Sequence, residues 1–199
     1  LTQVNWRIGE KVVMKTVGLL GDIGTETGVR EGKLAISTNW KDENSTLGKV
    51  MSCIREVNSL APIAVVVRTF LEYGVSFESA VFRAHTRKIC GPAFIAMSGP
   101  NVNQGVILSK RDSDPPKPQY VDCATKNWFR AVGNENPWTP DPKQIAVEEQ
   151  MNKLGQKEGG TFEGLWKTLS IPIVLNNNTV FTSIISSKTG SMISKIRDI

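Results

Sequence analysis

The chain has 199 residues, with 24 Lys and Arg against 19 Asp and Glu for a net charge of +5, and is 40% hydrophobic and 22% charged. That length suits one domain with a two-layer or four-layer core, and the composition excludes a disordered or fibrous chain. The basic residues are scattered and never run longer than two, which argues against a nucleic-acid surface, and the longest apolar run, Leu60 to Val67, is too short to cross a bilayer.

In chain order, residues 2 to 17 alternate around an R-I-G-E turn, with Val4, Trp6, Val12, Met14 and Thr16 spaced by two, a hairpin pattern. Gly18, Gly21, Gly24 and Gly28 then punctuate a loop that leads to the apolar run KLAIST. It lacks the GK[ST] ending of a phosphate loop. From Ser59 to Tyr73 the spacing predicts a mostly buried helix, with Pro62 near its first turn and Gly74 as its stop. A second helix follows to Lys88, N-capped by Ser76, with Phe77, Ala80, Val81 and Ala84 on one face.

Short strands succeed one another after Gly91-Pro92: AFIAMSG, GVILSKR, QYVDC and WFRAV, an antiparallel meander. A charged helix is predicted from Asp141 to Leu154 and a shorter one from Phe162 to Leu169, N-capped by Thr161. Two last strands, TVFTSIIS and SMISKIR, are joined through Lys188-Thr189-Gly190. Runs such as AFIAM, apolar on both faces, require cover on both sides of a sheet. A four-layer sandwich of helix, sheet, sheet and helix satisfies these faces, an α+β fold in a single domain over residues 1–199.

The chemistry-bearing residues are few. Cys53, Cys90 and Cys123 form no CxxC pair, which speaks against a disulfide framework or a zinc site. The only histidine, His85, lies between Arg83 and Arg87, so a Ser-His-Asp triad would have to use it. Sequons at Asn44 and Asn177 are candidate glycosylation sites, although two matches are what chance gives at this content of Asn, Ser and Thr. In WFRAVGNENPW, Asn134 stands where the strand pattern stops, a position that suits a turn residue before Asn136-Pro137 as well as an amide donor at a strand end. Leu1 opens the chain inside a strand-like segment, which suggests a piece of a longer precursor.

Six segments in order, LTQVNW, the glycine pair of VGLLG, ISTN ending at Asn39, AFIAMSGPNVNQGVILSKRD, WFRAVGN, and IVLNNNTVFTSII with a closing SKIRD, carry a resemblance. The chain resembles the C-terminal part of the catalytic subunit in the family of acid ceramidase and N-acylethanolamine-hydrolysing acid amidase. These are N-terminal-nucleophile hydrolases with the same four-layer architecture.

The resemblance implies hydrolysis of the amide bond of N-acyl lipids, ceramides or N-acylethanolamines, without cofactor or metal. The nucleophile is a cysteine that opens a self-cleaved subunit, its own amine serving as base. That cysteine is expected on a separate chain or on a segment upstream of Leu1, because the three cysteines here are internal. Asn134 and Asn39 take the catalytic amide positions, Lys143 stands where the family carries an arginine, and Gly18, Gly21 and Trp40 fall at the substrate. A lysosomal or secretory location and transient contact with a membrane surface follow. The departures, Lys143 and Gln144 for an Arg-Arg pair, Trp40 for an acid and Asp22 in an apolar loop, leave a catalytically inactive structural or binding module as the alternative.

Overall fold

The computed structural model describes residues 1–21, 24–40, 62–87, 93–110, 117–133, 141–177 and 179–196. Asp22, Asn44, Cys53, Cys90 and Asn134 lie outside the described residues. Strands β1 (Thr2–Ile8), β2 (Lys11–Gly18), β3 (Thr27–Arg30) and β4 (Leu34–Trp40) lead to helices α1 (Ile63–Glu72) and α2 (Phe77–Thr86). Strands β5 (Ala93–Ser98), β6 (Gly105–Lys110) and β7 (Lys117–Tyr120) follow, then helices α3 (Pro142–Gly159) and α4 (Phe162–Leu169), and strands β8 (Phe181–Ser186) and β9 (Ser191–Ile196).

β1 to β7 form one antiparallel sheet in chain order, and β8 with β9 a second. β5 therefore returns beside β4 after the two helices. Alternation then sorts the side chains. Met14, Leu34, Ile36, Ile95, Met97, Val106 and Leu108 face α1 and α2, where they bury Val66, Val67, Phe70, Leu71, Ala80 and Ala84. Val17, Val29 and Ala35 point the other way and meet Met192, Phe181 and Ile185 of the second sheet. α4 packs against β8 on the far side. The result is the expected helix, sheet, sheet, helix stack, with the two consecutive helices together on one outer face.

The helix ends are set by named groups. Ser76 Oγ accepts from Ser79 N–H to start α2. Glu78 in that first turn is held below the usual carboxylate range by a backbone N–H and by the Gln104 amide. α1 stops at a Schellman motif, with Gly74 at φ 58°, its N–H on Leu71 O and the Val75 N–H on Phe70 O. Arg30, reaching over from β3, also donates to Leu71 O and Glu72 O. At α2 the same office falls to Lys110 of β6: its buried ammonium donates to Ala84 O at 2.7 Å, to His85 O at 3.1 Å and to Arg87 O. Burial pulls Lys110 below the usual lysine range, and the three carbonyls work against that by accepting its protons.

Several expectations need correction. The glycine segment is not loop throughout, because Thr27–Arg30 forms β3 and Gly28 lets α1 approach: a Cβ there would stand 2.5 Å from Leu71 Cδ1. WFRAV forms no strand. Its residues are anchored by side chains instead, with Arg130 Nε on Tyr120 O and the Trp128 ring against Gly159. The charged helix does run to Leu154 as expected, where Gly155, at φ 70° and ψ 170°, breaks it, and a further turn carries the element to Gly159. Among the described residues no helix is long and apolar enough to cross a membrane.

Replacing Lys110 by Met keeps its apolar stem but strands the α2 carbonyls. The unfolding free energy in urea should fall by about 2–3 kcal/mol, the scale of hydrogen bonds to a charged group lost from a buried site.

Candidate functional site

An antiparallel sheet brings the end of one strand beside the start of the next. Val17 pairs with Thr27, Thr27 with Ser37, and Asn39 with Phe94. One rim of the large sheet therefore holds the end of β2, the start of β3, the end of β4 and the start of β5. Gly18 closes β2, Gly21 sits in the turn beyond it, and Asn39 and Trp40 close β4. Four residues singled out from sequence, separated by up to some twenty positions, thus share a rim.

Asn39 follows Ala35 and Ser37 on the face turned toward the second sheet. It is exposed, and its amide makes no hydrogen bond to the described residues. The strand beneath it is braced: Thr38 N–H donates to Glu26 O at 2.9 Å, and the Thr27 and Ser37 hydroxyls share a 2.9 Å bond. A free amide on a fixed strand end is what stabilisation of a developing oxyanion requires of a donor.

The glycines leave room beside it. A Cβ built at Gly18 or Gly21 meets nothing within 4 Å, and Gly21 has φ 92°, which glycine alone adopts at low cost. Between them Leu19 and Leu20 are 63% and 87% exposed. Thr25 on the same connection ties it to α1 through its N–H on Ala64 O, while its buried Oγ1 has no partner among the described residues. Sequence reasoning missed Thr25, since a threonine in a loop carries no signal of burial.

Lys143 belongs to a different element, the first turn of α3, and is exposed. Asp141 caps that helix by accepting from Gln144 N–H at 2.7 Å, with Pro142 at the first helical position. Asn177 is exposed in the turn before β8, where Thr179 Oγ1 donates to Val174 O. His85 is half-buried on α2, with its carbonyl on Lys110, and Cys123 is a half-buried thiol. No group of three His, Cys, Asp or Glu that could hold a metal occurs among the described residues.

The layer order, the antiparallel sheets and the rim of strand ends define the α-β-β-α sandwich of the N-terminal-nucleophile hydrolases. The Caenorhabditis elegans N-acylethanolamine-hydrolyzing acid amidase ortholog shares this fold, with a TM-score of 0.88 at 18% identity over 99% of this chain and 87% of that one. By sequence the chain is similar to the N-acylethanolamine-hydrolyzing acid amidase of Oryctolagus cuniculus, 26% identical over 172 residues, which is 84% of this chain and 47% of the relative. It is similar also to the acid ceramidase of Homo sapiens, 24% identical over 201 residues, 98% of this chain and 50% of the relative. The resemblance read from the motifs is thus borne out over most of the chain, which spans about half the length of the curated relatives it matches. No protein-family model matches.

Two substitutions separate architecture from chemistry at the rim. Asn39→Ala should lower the unfolding free energy from a urea titration by less than about 0.5 kcal/mol, as expected of an exposed side chain without partners among the described residues. Gly21→Ala should cost about 1 kcal/mol in the same titration, because its backbone is left-handed.

Proposed function

We propose that this chain supplies much of the catalytic domain of an amidase acting on N-acyl lipids of the ceramide or N-acylethanolamine kind. The observation that carries the reading is sequence similarity over 84–98% of the chain to proteins named for those two activities. The nucleophile in this proposal is a cysteine on a segment other than these 199 residues, and β1 at the edge of the large sheet offers that segment a place to pair.

In the reaction so assigned, the cysteine's own amine takes the thiol proton and the thiolate attacks the amide carbon. The carbonyl oxygen becomes an oxyanion, the proton passes to the departing amine, and water then cleaves the thioester. Asn134 and Asn39 donate to the oxyanion, each worth roughly 3 kcal/mol in the transition state. Neutral amides do not titrate, so they serve equally in an acidic lysosomal or secretory compartment, where Asn44 and Asn177 would carry glycans. The open space at Gly18 and Gly21, beside Trp40 and the exposed Leu19 and Leu20, suits an acyl chain and brief contact with a membrane surface. Lys143 supplies a point charge where the relatives' arginine supplies a planar fork.

A catalytically silent binding or structural module is the second reading, and the start of α3 favours it. There Asp141 is engaged as a helix cap and the residue in the arginine's place is an exposed lysine.

Fatty-acid release from a ceramide and from an N-acylethanolamine by the full-length protein separates the two. We expect turnover, with Asn134→Ala and Asn39→Ala each lowering kcat by about a hundredfold at little change in KM. No release by folded protein establishes the silent module, and unchanged turnover in Asn134→Ala leaves that residue as a turn former.

A further inference from the structure

A cleft of about 200 Å³ opens between residues 119–131 and one side of α3. That is below the roughly 300–1,000 Å³ of sites for drug-sized ligands, so an occupant is small. Its lining is polar and carries both signs of charge. Gln144, Glu148 and Asn152 are spaced by four and form one stripe of the helix. Gln144 Nε2 donates to Glu148 Oε1 at 2.9 Å, which fixes that carboxylate and leaves its other oxygen facing no described donor.

The opposite wall holds Lys126 and Arg130. Arg130 is anchored, with Nε on Tyr120 O at 2.9 Å and Nη1 on Asn127 Oδ1 at 3.1 Å. A guanidinium has five N–H donors, and those not spent on these two bonds have no partner among the described residues. Lys126 is exposed and likewise without one. The wall is stiff, because Phe129 meets Trp128 edge-to-face at 4.8 Å and Trp128 is wedged so close to Gly159 that a Cβ there would stand 2.7 Å from its ring. Arg130 is itself exposed, and a guanidinium already held by two hydrogen bonds loses less freedom on binding than an untethered one does.

We propose that this cleft binds a small zwitterion of the amino-acid type. Its carboxylate lies on Arg130 and Lys126, its ammonium on Glu148, and the amides of Gln119 and Asn152 take the remaining hydrogen bonds. Two cations without a facing acid would select any anion; the fixed carboxylate across the cleft adds the demand for an amine. The inference does not rest on the amidase reading, since it uses none of the residues assigned there.

Calorimetric titration of the full-length protein with γ-aminobutyrate, butyrate and butylammonium tests it. Saturable binding of γ-aminobutyrate is expected, with Kd raised about tenfold by Arg130→Gln and by Lys126→Gln, the scale of a charge-assisted hydrogen bond. Butyrate should bind more weakly, butylammonium not measurably, and Glu148→Gln should abolish the preference for γ-aminobutyrate over butyrate. Lys126 is exposed and makes no hydrogen bond or ion pair among the described residues, so its variant should unfold at the wild-type temperature and report binding alone. Absence of saturable binding, a Kd unmoved by both basic substitutions, or butyrate binding as tightly as γ-aminobutyrate would each overturn the assignment.

Discussion

Two cations that rise from the buried face of a sheet hold this architecture in register. Arg30 and Lys110 occupy the same side of the sheet as the apolar residues beneath α1 and α2, and each spends its charge on the last carbonyls of one helix. Helices of ten residues are marginal by themselves in water, and the last C=O groups of each lie beyond its regular i to i+4 ladder. Apolar packing alone would let them slide along a smooth sheet; a cation aimed at a helix end fixes both the axial position and the direction of the chain. The strand ends that form the candidate site inherit that fixed frame.

The other face of the sheet is organised differently. Its apolar contact with the second sheet is small, centred on Val17, Val29, Ala35 and Met192. Polar bonds at one end do much of the fastening: Lys15 Nζ to Gly190 O, Gly32 N–H to Ser187 O, and Ser187 Oγ to Gly99 O. These join the β8–β9 turn to the turns at Gly32 and Gly99, remote from the rim that carries Asn39. Between the two lie hydroxyl pairs, Thr27 with Ser37 and Ser183 with Ser194. The sandwich is therefore pinned at the end away from the candidate site and lined with paired hydroxyls on the way to it, while the buried Thr25 Oγ1 near the rim has no partner among the described residues.

α3 shows how one short sequence serves structure and function in competition. Asp141-Pro142 starts a helix as well as any cap does, and that local use is sufficient to explain both residues. Further along the same helix Gln144 bonds Glu148 one turn on, and Arg130, in the wall opposite, fastens its own segment to Tyr120 O and Asn127.

What the sequence determined by itself was local. Ser76 and Thr161 announced their helices because a side-chain oxygen three residues ahead of a free N–H needs no tertiary partner, and AFIAMS and GVILSK were legible as short apolar runs bounded by turn residues. Asn39 and the glycines were legible as candidates through ordered motifs. Only the tertiary structure decided that they meet at one rim, since pairing register joins residues far apart in the chain. It also decided that 128–133 is not a strand: its alternation is real, but the segment pairs with no strand among the described residues and is held by the Arg130 bond to Tyr120 O and the Trp128 contact instead. Lys110 shows the boundary most clearly. Its place in the row Val106, Leu108, Lys110 put a charge on a buried face, and nothing in the sequence said that the end of α2 would stand above it to accept its three protons.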